Sequence, residues 1–136
     1  TENLKDRRAV YSFNLKTKQL VPDPVLVMDP GVFTKYVIDN KLLPPGKKDI
    51  DDEFEVKLRI SGMGIHPVSG KLFILSATDF MLCVVNREGK PENISYLNRK
   101  LFNQAEGITF LSNGDMLISN EGGNDEATLL RFNFRP

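Results

Sequence analysis

The sequence predicts an all-β fold built from repeated antiparallel units. Three observations carry that prediction. A strand–turn–strand pattern occurs twice, an apolar-x-apolar-Asn element occurs three times, and glycines mark the turns between them. "SGMGIHPVSGKLFILS" (61–76) and "EGITFLSNGDMLISN" (106–120) align on Gly62 and Gly107, 45 residues apart. After each glycine come two apolar residues at alternate positions, Met63 and Ile65 in one copy, Ile108 and Phe110 in the other. A turn follows, ending in Gly70 or Gly114, and then Leu72 and Ile74, or Met116 and Ile118. Period-two alternation on both sides of a glycine turn is the signature of a hairpin with one buried face.

The second element closes each unit. It reads Cys83-Val84-Val85-Asn86, Leu130-Arg131-Phe132-Asn133 and, near the start, Tyr11-Ser12-Phe13-Asn14. A period of 45 residues with three or four short strands per unit fits the blade of a β-propeller. The expectation is therefore two complete four-stranded antiparallel blades and part of a third, a fragment of a six-bladed ring.

In chain order, residues 1–28 are the tail of a preceding blade. "QLVPDPVLVM" (19–28) is its outer strand, where Pro22 and Pro24 are tolerable at an edge. Residues 29–56 are an inserted connection. Asp29 caps a short helix with Pro30 in its first turn; Val32, Phe33, Tyr36 and Val37 lie on one face, and Pro44-Pro45-Gly46 ends it. The acidic run from Asp49 to Glu55 lacks the spacing of an EF-hand loop and reads as a solvated loop. Residues 57–105 form a complete blade with "ENISYL" (92–97) as its outer strand, and 106–136 form the C-terminal blade. Gly122 to Glu126 makes a hairpin tip. The pattern opens inside a blade, so the remaining blades are expected from a longer chain or from another subunit.

Composition narrows the functional classes. Lys+Arg and Asp+Glu both number 18, so no net charge favours nucleic acid. No apolar run approaches the roughly eighteen residues needed to span a bilayer. "TENLKDRRAV" lacks the apolar stretch of a signal peptide, although a mature secreted chain would look the same. Cys83, the one cysteine, stands between Leu82 and Val84 and reads as a buried strand thiol. His66, the one histidine, precedes Pro67 and reads as a turn residue; no zinc set can be assembled around it. There is no G-x-S-x-G elbow, Gly62-Met63-Gly64 lacks the third glycine of a dinucleotide loop, and Asn93-Ile94-Ser95 fits an N-glycosylation sequon.

"ISGMGIHPVSGKLFILSATD" and "QAEGITFLSNGDMLISNEGGNDEATLLRFNF" resemble the last two blades of the SdiA-regulated, YjiK-like bacterial six-bladed propellers. The resemblance covers residues 57–136 well and 7–28 loosely; 29–56 do not align. It implies an exported or envelope-associated protein, periplasmic or extracellular, and supplies no catalytic mechanism. Gluconolactonases and paraoxonases, more distant propellers, hold a divalent cation in the channel, an analogy at the level of fold.

The candidate site follows from the inner strands. Glu106 stands just before one of them, and Asn120 and Glu121 follow its partner. These are oxygen donors of the types Ca²⁺ takes, which makes Ca²⁺ the cofactor they would hold. The other reading has Glu106 accepting backbone N–H bonds at a turn or pairing with an arginine. Ser61 occupies the place of Glu106 in the other copy, so a symmetric ring of metal ligands is disfavoured. Two functions stay open: a binding module for a small molecule or protein at the channel mouth, or a cation-dependent hydrolase of esters or phosphoesters.

Overall fold

The computed structural model describes residues 4–136, so the first three residues of the 1–28 segment lie outside the described residues. Among the described residues the chain is all-β apart from one short helix. Its strands form two long hairpin-derived sheets and one interrupted hairpin.

The interrupted hairpin comes first. β1 (Arg8–Val10) pairs antiparallel with β4 (Leu26–Met28), and β2 (Phe13–Asn14) with β3 (Gln19–Leu20). Two bonds span the break: Val25 N–H donates to Val10 O at 2.8 Å and Val21 N–H to Ser12 O at 2.9 Å. Asn14 starts the turn because its Oδ1 accepts from Lys16 and Thr17 N–H. Asn86 does the same with Glu88 and Lys90 N–H, which gives the recurring Asn a local reason.

Helix α1 (Pro30–Asp39) follows, capped by Asp29, whose Oδ1 accepts from Gly31 N–H at 2.9 Å. Phe33 and Val37 are buried, but Val32 is exposed, so the buried stripe is narrower than the sequence suggested. The helix stops at Asn40, and Lys41 takes a φ of 52°. The chain thus leaves the helix several residues before Pro44, in a left-handed turn rather than at the prolines.

A four-stranded antiparallel meander comes next: β5 (Ile60–Ile65), β6 (Leu72–Ser76), β7 (Met81–Val85) and β8 (Pro91–Tyr96). The C-terminal sheet has three strands among the described residues, not the four expected of a complete blade: β9 (Ala105–Phe110), β10 (Met116–Asn120) and β11 (Thr128–Phe132). Its inner hairpin repeats the β5–β6 register, with Ile108 opposite Ile118 as Met63 is opposite Ile74.

Two cores lie on opposite faces of the four-stranded sheet. On one face Ile74, Met81, Cys83, Val85 and Ile94 meet the helix residues Phe33 and Val37, and Met28 of the hairpin. On the other, Leu75 packs with Ile108 and Ile118 of the next sheet, and with Leu97, Phe102 and Ala105. Period-two alternation explains the division: Ile74 and Leu75 are neighbours in sequence and serve different cores. Each fully buried aliphatic side chain contributes about 1.5–3 kcal/mol.

The sheets are therefore stacked face to face, and their inner strands come very close. A Cβ on Gly62 would lie 3.0 Å from Glu106 O and 3.3 Å from Ile108 N; one on Gly64 would lie 3.3 Å from Ile108 O. Only glycine lets β5 and β9 run side by side at that distance.

Candidate functional site

The same irregularity interrupts both inner strands. In β5 the pairing steps from Ile60 opposite Ser76 to Gly62 opposite Leu75, leaving Ser61 as an extra residue. In β9 it steps from Ala105 opposite Asn120 to Gly107 opposite Ser119, leaving Glu106 as the extra residue. These are β-bulges at equivalent repeat positions, a device that re-aims one side chain at the end of a strand. Bulge and repeat agree on the equivalence of Ser61 and Glu106.

The two bulges touch. Ser61 Oγ donates to Ala105 O at 2.6 Å, across a gap of 44 residues. Glu121 N–H donates to Gln104 O at 2.9 Å, which brings the chain after β10 back beside the start of β9. Thus Ser61, Glu106, Asn120 and Glu121 belong to one end of the inner strands.

Their environments differ. Asn120 is buried; its Nδ2 donates to Thr128 Oγ1 at 3.1 Å, while its Oδ1 is buried with no hydrogen-bond partner among the described residues. An unsatisfied buried acceptor costs about 1–3 kcal/mol, so such an atom is a mark of a polar site. Glu106 and Glu121 are exposed. The Glu106 carboxylate makes neither the backbone bonds of a turn nor an arginine pair with any described residue. Among the described residues no group of three or more His, Cys, Asp or Glu side chains could hold a metal ion. Oxygen ligation at this end would rest on two carboxylates, the Asn120 amide and backbone carbonyls.

Other singled-out residues have structural roles. Cys83 is buried, and burial, with Asp79 adding to it, pushes its thiol up to about 12. His66 follows β5 at its turn and is buried between the two sheets, among the rings of Phe73, Phe110 and Phe134. Ile50 and Phe54 of the acidic run pack partly against the first core, while Asp51 pairs with Lys47 at 3.0 Å and Glu55 with Lys57.

Sequence reasoning missed Asp79. Its carboxylate accepts from Lys57 N–H at 3.0 Å, Leu58 N–H at 2.9 Å and Ser76 Oγ at 2.5 Å. It also missed Asp115, which accepts from Arg131 and from Phe134 N–H and so fastens the last residues. The one local signal for Asp115 is its place directly after the turn glycine Gly114.

No family model matches the chain, and no curated protein matches it in sequence. Among the described residues no helix is long and apolar enough to cross a membrane.

Proposed function

We propose that the chain is a ligand- or protein-binding module of the β-propeller type, similar to the SdiA-regulated, YjiK-like proteins, with its site at the bulged end of the inner strands. The observation that carries this reading is the pair of bulges at Ser61 and Glu106, beside a buried Asn120 oxygen that lacks a donor. A ligand with hydrogen-bond donors or a positive charge would satisfy Asn120 and the free carboxylates together. The remaining blades, from a longer chain or another subunit, would complete the rim. The resemblance supports an envelope setting, periplasmic or extracellular, in a bacterium.

A second reading, a divalent-cation-dependent hydrolase of esters or phosphoesters, is favoured by the donor types. Two carboxylates and an amide oxygen are hard ligands suited to Ca²⁺, which would polarise a substrate oxygen.

A thermal melt in millimolar Ca²⁺ and in chelator tests both. A cation that binds only the folded state stabilises it by about 2.7 kcal/mol at a hundredfold excess over Kd. The expected rise in midpoint disappears in Glu106→Gln, which should itself fold within about 0.5 kcal/mol of the parent. No rise counts against the hydrolase. If Glu106→Gln unfolds the protein, Glu106 is structural and the site is misassigned.

A further inference from the structure

The geometry points to a docking site for a β-hairpin on the uncovered face of β5, centred on Met63 and Ile65. This inference rests on the stacking of the sheets and is independent of the polar end.

The internal repeat provides the comparison. Met63 and Ile65 hold the places that Ile108 and Phe110 hold 45 residues later. Ile108 is 9 % exposed, whereas Met63 is 46 % and Ile65 68 % exposed. Neither the residue types nor the strand geometry explains the difference, since both hairpins have one register. What differs is the layer above. Ile108 and Phe110 are covered by the β5–β6 hairpin, through Gly62, Gly64, Phe73 and Leu75. On this face of β5 and β6 lie the first hairpin and the helix residues Phe33 and Val37, and Ile74 and Ser76 of β6 are fully buried. Val10, Leu26 and Met28 share that core with Ile60, Leu72 and Ile74, and Met63 and Ile65 have no part in it.

The hairpin also leaves an edge open. Val10 O and Ser12 O are used by the strand on their own side. The alternate residues, Ala9, Tyr11 and Phe13, therefore present their backbone groups to the other edge, which pairs with no described strand. Beside the hairpin is a groove of about 560 Å³ whose walls include Val25, Leu26, Leu72 and Val85.

The β5–β8 sheet has four strands where the first hairpin has two, so the uncovered layer is two strands wide. One strand of the occupant bonds to the free edge of residues 9–13, and the other lies beside β5. The chain itself shows the required chemistry. The strand beside β5 needs glycine at alternate positions, as Gly62 and Gly64 serve β9, and its partner needs large apolar side chains, as Phe73 and Leu75 do.

The probe is therefore a synthetic peptide of residues 60–76, the hairpin that does this work one repeat later. Titrated into isotopically labelled protein, it should give saturable NMR shifts at Met63, Ile65 and residues 9–13. Binding should weaken by roughly tenfold or more in Met63→Glu/Ile65→Glu and be unchanged in Leu129→Glu, which alters an exposed residue of the C-terminal sheet. Because these side chains are exposed, the variants should fold. No saturable shift up to about 1 mM, the weak limit for a specific contact, would overturn the proposal. So would shifts elsewhere, or equal binding by the double variant. Concentration-dependent association of the chain alone, abolished by the double variant, would make a second copy the occupant and overturn the hairpin assignment.

Discussion

His66 Nε2 lies 3.2 Å from the carbonyl oxygen of Gly114, so the turn of one sheet is tied to the turn of the next. The tautomer follows from its other partner. Ser69 N–H donates to Nδ1 at 3.1 Å, so Nδ1 carries the lone pair and Nε2–H donates to Gly114. The ring is buried and meets Phe110 edge-on at 5.0 Å and Phe134 at 4.8 Å.

His66→Ala would remove both hydrogen bonds and open a cavity among three phenylalanines. The expected loss is about 2–4 kcal/mol, read from urea unfolding. A change below about 0.5 kcal/mol, the range of an ordinary surface substitution, would show that His66 is only a turn residue.

Asp79 should matter as much, for a different reason. Leu58 is buried with a φ of 47°, a conformation that costs a branched residue energy. Asp79 holds that strained segment by accepting from Lys57 and Leu58 N–H, and Arg8 holds its far side through Leu58 O at 2.9 Å and Lys57 O at 2.7 Å. Asp79→Ala should destabilise by about 2–4 kcal/mol, with the largest gain in hydrogen exchange at residues 57–60. Uniform loss of protection across the C-terminal sheet would contradict the local role.

Both residues show what the sequence could and could not reveal. The repeat was legible because alternation and the turn asparagines are local: Asn14 and Asn86 make their turns with backbone groups two to four residues away. The polar end was legible in part, since Glu106, Asn120 and Glu121 flank strand ends. The bulges were not, because a bulge is a relation between two strands. Nor was the contrast between Met63 and Ile108, which depends on what covers them. His66 and Asp79 have partners 48 and 21–22 residues away, beyond the reach of any local pattern.

Acid should loosen the C-terminal residues first. Phe134 N–H and the Arg131 side chain hold the Asp115 carboxyl below its ordinary range. A carboxylate with a lowered folded-state pKa adds stability above its unfolded pKa, and that stability is lost as pH falls through the folded value. Stability should therefore decline below roughly pH 4, and Asp115→Asn should flatten that decline while lowering stability at pH 7. Equal acid slopes in the two proteins would contradict this role.

Cys83 should be inert in the folded protein. Its thiol, buried and raised to about 12, offers almost no thiolate at neutral pH. Labelling by a thiol-specific disulfide reagent should occur only through unfolding and speed up in urea. Fast labelling without denaturant would mean that the first core opens locally.

The central claim is that consecutive sheets stack with β5 and β9 side by side. A Cβ built on Gly62 would lie 3.4 Å from Gly107 Cα, so the α-protons of these two glycines are close. A NOESY spectrum tests this most directly. The account predicts a cross-peak between the Gly62 and Gly107 α-protons, with another from Gly64 to the Phe110 ring. Strands that keep their hairpin pairings but show neither cross-peak would contradict the stacked arrangement.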